Sequence, residues 1–257
     1  MTVSWRKRRM HHVFGRDGRA VVVAMDGARR GHAQGLEDAP AAVARVVEGG
    51  ADAILTTFGM AQAVAGVLGG TGLILALDSE GPIAGYGVEQ ALRLGADAVE
   101  LKVFPGNPEE SKLADLRRLA AEAARWGMPL LGEPIPVSFT DTSAHTMANV
   151  SDAARIAAEA GSDLVKVHYV GPVEEYRRRV VQSCYVPVLV LGGPARNDPK
   201  DALQMAADAL EAGASGVVFG RNVVTSPRPD RVVAALGELV HGGATVEAAA
   251  RELLVPF

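Results

Sequence analysis

The chain has 257 residues, of which 48% are hydrophobic and 22% charged, and its formal net charge is -4 at pH 7. This composition is that of an ordinary globular protein; it excludes disorder for most of the chain and argues against nucleic acid as the main partner. The single cysteine, Cys184, excludes a disulfide within the chain and a zinc site built on cysteines, and it fits a reducing cytoplasm.

The N-terminal segment carries a basic cluster at residues 6–9, which we interpret as a solvated face. No apolar stretch of a secretory signal follows it, and no apolar run in the chain reaches the roughly 20 residues of a membrane span. We therefore expect a cytoplasmic protein with neither a membrane nor a nucleic acid as partner.

Four segments repeat one pattern, in which a glycine stands between a helical stretch and a short apolar run. Glycine supplies the left-handed conformation that ends a helix, and a short run rich in β-branched residues is typical of a strand buried on both faces. The repeat therefore predicts alternating helices and strands around a parallel sheet. The segments are 48–55, 94–102, 160–168 and 212–219.

Eight strands are predicted along the chain, with helices in most of the intervals. Eight such units in about 250 residues fit a single (β/α)8 TIM barrel that occupies 1–257 as one domain. A doubly wound sheet is the alternative, but no Gly-x-Gly-x-x-Gly turn follows the first strand. The predicted strands lie near 20–25, 53–57, 73–77, 97–103, 129–133, 164–168, 187–191 and 216–219, and the clearest helices at 108–126, 150–160, 199–212 and 230–241, with an extra helix at 245–254.

Catalytic groups of such a barrel come from the C-terminal ends of its strands. The polar residues predicted there are Asp26, Asp78, Glu100, Lys102, Glu133, Lys166 and His168. Lys166 gives the clearest signal, because a lysine inside a buried strand is costly unless it is paired or deprotonated. It is either an ion-pair partner of Asp26 or Glu133, or a neutral amine that forms a Schiff base with a carbonyl substrate.

Lys102 is a second candidate on another even-numbered strand. Alternate strands contribute to the same interior layer of a barrel, so the two ammonium groups can lie close together and each then favours the neutral form of the other. The alternative is that Lys102 is an exposed residue at the rim of the barrel.

Glycine-containing turns follow the seventh and eighth predicted strands, where this architecture usually holds phosphate. Gly192 and Gly193 come after strand seven, and Gly220 and Arg221 after strand eight. Glycines let backbone N–H groups approach an anion, and a guanidinium adds charge. The alternative is a pair of tight turns without a ligand.

The motifs at 9–26, 163–171, 191–194 and 218–223 together resemble the class I, Schiff-base aldolases of the archaeal-type fructose-bisphosphate aldolase and deoxyribose-phosphate aldolase-like family. The resemblance covers nearly the whole chain in order. It implies that Lys166 is the Schiff-base lysine, that Asp26 helps to handle protons, and that Gly192, Gly193, Gly220 and Arg221 hold phosphate.

Two positions depart from the family pattern. The histidine that follows the aspartate in the family's Met-Asp-His-Gly motif is missing after Asp26, and the family's Tyr-Pro pair at the end of strand five is matched by Ile135–Pro136. The tyrosine is the family's acid–base group, so another residue must take its place: Glu133, Asp26, His168 or Tyr169.

If Glu133 takes that role, its surroundings must keep it titratable near neutral pH. The run at 130–136 is apolar around it, and desolvation disfavours a charged carboxylate and would keep it titratable near neutral pH. The alternative is that Glu133 only orients Lys166 or Lys102 as an ion partner.

The leading functional hypothesis is an aldolase, a lyase that cleaves or forms a carbon–carbon bond in a phosphorylated ketose. A synthase of aromatic or amino-sugar biosynthesis is the alternative, and a phosphosugar-binding barrel without catalysis is a third. The histidines show no metal-ligand spacing, so we expect no metal and no organic cofactor. A homo-oligomer is also expected.

Overall fold

The computed structural model describes residues 7–31, 34–77, 87–109, 111–196 and 198–254. Asp78, which was predicted to close the third strand, lies outside the described residues, as does Arg6 of the basic cluster.

Eight parallel strands pair in chain order and close into a barrel, because the eighth strand also pairs with the first. This confirms the predicted (β/α)8 barrel. Every predicted strand agrees with the observed one to within one residue at each end, since the short β-branched runs between glycine-ended helices mark these strands closely. The strands are β1 Ala20–Ala24, β2 Ala53–Thr56, β3 Gly72–Ala76, β4 Ala98–Val103, β5 Leu130–Pro134, β6 Leu164–Val167, β7 Val188–Leu191 and β8 Gly216–Phe219.

Helices cover the outside of the barrel. The fourth begins at Leu113 instead of the predicted 108, because the backbone N–H of Phe104 donates to the carbonyl of Ser111 and closes the intervening chain into a loop. Among the described residues, none of the helices has the length and apolarity needed to cross a membrane. The helices are α1 Ala39–Glu48, α2 Phe58–Val64, α3 Val88–Arg93, α4 Leu113–Trp126, α5 Met147–Glu159, α6 Val173–Tyr176, α7 Pro199–Glu211, α8 Arg221–Val224, α9 Pro229–Val240 and α10 Val246–Ala249.

Side chains alternate along each strand between the helix layer and the barrel interior. The lower interior is apolar, and it is closed at its N-terminal end by a 3-10 helix, Arg8–His12, with Met10 and Phe14 buried against the strands. Because the lower interior is packed and plugged, a ligand has access only from the C-terminal end. The interior strand residues of this cluster are Ala20, Val22, Ala53, Leu55, Ile74, Ala76, Ala98, Leu131, Leu164, Leu189 and Val218.

The N-terminal basic cluster is not simply a solvated face. The ammonium of Lys7 lies 2.7 Å from the carboxylate of Asp163 and donates to the carbonyl of Met128. That part of the interpretation is wrong, because Lys7 ties the N-terminal segment to the beginning of β5.

The extra helix predicted at 245–254 is present as two short pieces. One is α10 and the other is a 3-10 turn, Glu252–Leu254. Thr245 accepts a hydrogen bond from the backbone N–H of Ala248 and so caps α10.

Candidate active site

Five ionisable side chains lie buried in the upper layer of the barrel interior. They are Asp26, Glu100, Lys102, Glu133 and Lys166, each at most 5% exposed. Strand alternation explains their common direction: Glu100, Glu133 and Lys166 each follow an interior apolar residue of their own strand at an interval of two, and Lys102 follows Glu100 at the same interval. The polar layer therefore begins where the apolar packing of the lower interior ends.

Lys102 is the centre of this cluster. Its Nζ lies 3.0 Å from Oε1 of Glu100, 3.2 Å from Oε2 of Glu133 and 3.3 Å from Oδ2 of Asp26. One ammonium thus holds together three carboxylates, which come from β4, from β5 and from the loop after β1. The alternative that Lys102 is an exposed rim residue is wrong, because only 2% of it is exposed.

Lys166 forms an ion pair with the same carboxylate that Lys102 contacts. Its Nζ lies 2.9 Å from Oε1 of Glu133, so that each oxygen of Glu133 faces one lysine. The ion pair was one of the two interpretations of Lys166. It does not exclude the other, since a carboxylate in contact with an ammonium can also accept its proton.

Arg29 extends the cluster at the end of β1. It lies on a 3-10 helix, Gly27–Arg30, and its Nη2 is 2.7 Å from Oδ2 of Asp26. With Arg29 included, the cluster contains three carboxylates and three cations. This balance makes burial tolerable, because an uncompensated charge in the interior costs several kcal/mol.

The lysines keep the buried carboxylates ionised. Burial disfavours the charged form of Asp26, but Lys102, Lys166 and Arg29 outweigh it and lower the pKa of Asp26 to about 2. Burial would likewise raise the pKa of Glu133, but Lys102 and Lys166 hold that pKa below its usual range, helped by a hydrogen bond from Lys166. The expectation that apolar surroundings keep Glu133 titratable near neutrality is therefore wrong for the resting site.

His168 stands nearer to the opening of the barrel. It follows Lys166 by two residues and is half-buried, and its ring stacks on that of His145 with centroids 4.1 Å apart. Burial, and then the charge of His145, lowers the pKa of His168 to about 4. At neutral pH the imidazole is therefore uncharged.

Tyr169 does not face the site. Its ring lies 4.9 Å from that of Tyr176, among the side chains between the barrel and the helix layer. Tyr169 is therefore wrong as a substitute for the family's tyrosine, because strand alternation turns it away from Lys166.

The predicted phosphate residues lie together at the ends of β7 and β8. The guanidinium of Arg221 donates to the carbonyl of Gly193 at 3.3 Å, and the Asn222 side chain donates to the carbonyl of Gly192 at 2.9 Å. A Cβ at Gly192 would lie 3.1 Å from the Phe219 ring, and one at Gly220 would lie 3.0 Å from the carbonyl of Ala24. A side chain at Gly192 or Gly220 would therefore press against its neighbours, which accounts for glycine at both positions.

Sequence reasoning overlooked three residues of this region: Arg29, His145 and Asn222. Glu100 was expected among the polar residues at the strand ends but was given no role, although it precedes Lys102 by two residues and must share its face. Asn222 lies next to a predicted phosphate residue. Nothing in the sequence brings His145 to His168 or Arg29 to Asp26, because those contacts depend on the path of the loops.

Residues 20–226 match the family described as DeoC/LacD family aldolase. The chain belongs to this family. It is therefore an aldolase, an enzyme of the lyase class, and the match covers all eight strands of its barrel.

Similar proteins with assigned names are found among archaea and bacteria. The aldolase is 35% identical to an uncharacterised aldolase of Saccharolobus solfataricus, over 93% of this chain and 95% of the other. It is 35% identical to 2-amino-3,7-dideoxy-D-threo-hept-6-ulosonate synthase of Halobacterium salinarum, over 91% of each chain. It is 38% identical to 2-amino-4,5-dihydroxy-6-oxo-7-(phosphonooxy)heptanoate synthase of Streptomyces griseus, over 63% of this chain and 59% of the other.

Solved structures with the same fold include a Schiff-base-forming fructose-1,6-bisphosphate aldolase. That chain is 29% identical and has a TM-score of 0.80, with 91% of this chain and 98% of the other covered. An archaeal fructose-1,6-bisphosphate aldolase with its catalytic lysine covalently bound to a carbinolamine intermediate is 28% identical, with a TM-score of 0.79 and coverage of 90% and 98%.

Replacing Lys102 by methionine is predicted to destabilise the aldolase by about 3–5 kcal/mol at pH 7, because three buried carboxylates lose their shared cation. The pKa values of Asp26 and Glu133 then rise, so these groups take up protons as the pH falls. The destabilisation relative to wild type is therefore largest at pH 7 and smaller at pH 4.5. Urea unfolding at both pH values measures it.

Lys200→Met is the matched control, since Lys200 is exposed at the start of α7. It should leave the free energy of unfolding within about 0.5 kcal/mol of wild type. A Lys102→Met variant as stable as this control would contradict a structural role for the ion cluster.

Proposed function

We propose that this chain is a class I aldolase in which Lys166 forms a Schiff base with a phosphorylated ketose. The observation that carries the proposal is the 2.9 Å contact between Nζ of Lys166 and the carboxylate of Glu133 at the open end of the barrel. A nucleophilic amine needs a group that takes its proton, and here that group is already in contact. The covalent lysine intermediate of the similar archaeal aldolase supports the same chemistry.

Schiff-base formation begins with transfer of one proton from the Lys166 ammonium to Glu133. The neutral amine adds to the ketone carbon and gives a carbinolamine. Glu133 then returns its proton to the departing hydroxyl, which leaves as water, and the iminium remains on Lys166. While Lys166 is uncharged, Glu133 has lost one of the two cations that lower its pKa, so it holds the proton more readily at the stage that requires it.

In the cleavage step Glu133 acts as a base, whereas it acted as an acid in the loss of water. Glu133 accepts the proton of the substrate hydroxyl on the carbon β to the iminium carbon. The C–C bond breaks, an aldehyde leaves, and the electron pair moves into the iminium to form an enamine. Protonation of the enamine carbon and hydrolysis of the iminium release the ketone product and free Lys166. The iminium is the electron sink, so these steps require no cofactor.

We assign the acid–base role to Glu133 rather than Asp26 because of their contacts. Asp26 pairs with Lys102 and Arg29, whereas Glu133 reaches the reacting nitrogen. Glu133 also lies at the end of β5, two residues before Ile135–Pro136, the pair that matches the family's Tyr-Pro. Asp26 then keeps Lys102 and Arg29 in place.

The substrate class that we propose carries a phosphate next to its ketone. Fructose 1,6-bisphosphate and the 6-oxo-7-(phosphonooxy)heptanoate in the name of the Streptomyces griseus relative both have a ketone adjacent to a phosphorylated carbon. The proposed phosphate site lies in the turns that follow β7 and β8, and β7 pairs with β6, which carries Lys166. A phosphate bound in these turns would therefore lie near a ketone carbon attached to Lys166. The turns contain Gly192, Gly193, Gly220 and Arg221. Backbone N–H groups and the Arg221 guanidinium would bind the phosphate.

Synthesis of a carbon–carbon bond is the second candidate function. Two of the three relatives reported above, at 35% and 38% identity, are synthases, and the third, at 35%, is an uncharacterised aldolase; the two aldolase structures reported above are 28–29% identical. Both directions use the same lysine and carboxylate. The cytoplasmic location and the homo-oligomer stay predictions.

Lys166→Met is expected to abolish both turnover and covalent trapping, because no other group replaces the nucleophile. Incubation with dihydroxyacetone phosphate and borohydride, followed by mass measurement, detects the reduced adduct. Wild type should gain the mass of the reduced ketose, and circular dichroism should show that the variant is folded. Lys200→Met should trap like wild type. A folded Lys166→Met variant with an adduct would refute the assignment, and wild type without any adduct would favour a non-catalytic binding barrel.

Glu133→Gln separates the two interpretations of Glu133. If Glu133 is the acid–base group, the trapped adduct forms more slowly but still accumulates on long incubation, while turnover falls by about 10²–10⁴, the usual contribution of such a group. Trapping followed over time, alongside steady-state turnover, measures both. Normal turnover would dismiss Glu133 from the chemistry, and loss of the adduct even on long incubation would mean that Glu133 only orients the lysines.

Arg221→Ala is expected to weaken binding of dihydroxyacetone phosphate by about 1.5–3 kcal/mol, the value of a charge-assisted hydrogen bond. Binding of unphosphorylated dihydroxyacetone should hardly change. The concentration dependence of trapping gives both affinities. Equal losses for the two ligands would place the phosphate elsewhere.

A further inference from the structure

Two histidines, His145 and His168, form a stacked pair at the opening of the barrel, and the aldol steps above use neither. Their ring centroids are 4.1 Å apart and the rings are inclined by 29°. His168 follows β6 on the face of Lys166, while His145 comes from the loop between β5 and α5. The pair therefore links the end of β6, the strand of Lys166, to the β5–α5 loop. This loop lies on the opposite side of β6 from the turns after β7 and β8.

His145 is anchored at its ring and at its backbone. Nε2 of His145 lies 2.8 Å from the carbonyl oxygen of Ser138, and because a carbonyl only accepts, this nitrogen carries a hydrogen. The preceding carbonyl, that of Ala144, accepts a hydrogen bond from the side chain of Asn149 on α5. His145 thus presents a fixed ring face.

His168 is held differently. Its backbone carbonyl accepts a hydrogen bond from the hydroxyl of the fully buried Tyr176 at 3.0 Å. In the part of the chain that the structure describes, its ring Nδ1 is buried and has no hydrogen-bond partner. Stacking on His145 is therefore a contact that orients the His168 ring where its Nδ1 makes no hydrogen bond.

The charge state of His168 suits hydroxyl recognition. Three ionisable groups act on it besides burial: His145 from the β5–α5 loop and Lys166 on β6 disfavour the imidazolium, and Glu133 on β5 favours it. The net effect is the pKa of about 4 given above, so the ring is neutral at pH 7. A neutral imidazole offers one donor and one acceptor, which matches a hydroxyl group.

We propose that His145 is a positioning residue that fixes the ring of His168, and that His168 hydrogen-bonds the hydroxyl groups of the substrate's carbon chain. The inference rests on the proposed Schiff-base function and names the part of the substrate that the site distinguishes. With the phosphate beyond β7 and β8 and the ketone at Lys166, the rest of the chain extends toward β5 and the two histidines.

Two ligands separate chain recognition from Schiff-base formation. Fructose 1,6-bisphosphate has the polyhydroxylated chain, and dihydroxyacetone phosphate has the ketone and phosphate without it. Borohydride trapping against concentration gives an apparent affinity for each. Wild type should prefer the longer ligand. His145→Ala should weaken its trapping by about tenfold to a hundredfold, as for one or two lost hydrogen bonds, and leave the shorter ligand unchanged.

Further variants distinguish positioning from general structure. His145→Phe keeps a stacked ring, and its trapping of the longer ligand should stay within about threefold of wild type. The double variant His145→Ala with His168→Ala should trap the longer ligand no more weakly than His168→Ala alone, because the pair acts as one unit. In His145→Ala, His168 becomes more solvated and should therefore take up a proton at a higher pH than in wild type. The preference for the longer ligand should then begin to fall at a higher pH as the solution is acidified. His12→Ala, an exposed histidine at the other end of the barrel, should match wild type in every measurement.

Equal weakening of both ligands in His145→Ala, or a wild type that shows no preference for the longer ligand, would overturn the inference while leaving Lys166 as the nucleophile. His145→Phe as impaired as His145→Ala would also overturn it. Absence of an adduct with either ligand in wild type would instead refute the proposed function itself.

Discussion

One buried ammonium group, that of Lys102, constrains the whole upper end of this barrel. Three carboxylates, two on strands and Asp26 just after β1, converge on it, and none of them can remain ionised in the interior without a cation. Because the strands are fixed by the barrel's hydrogen bonds, the ion cluster has little freedom to rearrange. Glu133 is consequently held with one oxygen toward Lys102 and the other toward Lys166.

This arrangement places charged partners in contact in the resting site. In the proposed mechanism, one proton passes from Lys166 to Glu133 along that contact and leaves the neutral amine that attacks the ketone. The three contacts of Lys102 do not involve Lys166, so they can hold the carboxylates in place during that step. A chemical role for the buried ion pair is in keeping with the small net stabilisation of such pairs.

The apolar packing and the charged cluster lie at different heights along the axis of the barrel. Its lower interior is filled by apolar side chains and closed by Met10 and Phe14, which supplies packing. Its upper interior holds the charged cluster, and the loops above it supply the glycine turns and the stacked His145 and His168. Rigid strands thus carry the reacting groups, and loops carry the groups proposed to recognise the substrate.

The sequence by itself determined the architecture and the candidate lysines and carboxylates at the upper end of the barrel. Apolar runs between glycine-ended helices locate the eight strands, and period-two alternation puts Lys166 and His168 on one interior face. Tertiary structure decided what alternation cannot specify, which is the set of partners across strands. Only the closed barrel shows that Glu133 is shared by two lysines, which lowers its pKa where the apolar flanking sequence predicted the reverse. Likewise the contact of His145 with His168 arises from the path of the β5–α5 loop, since residues 23 positions apart meet there through tertiary folding that local sequence does not encode.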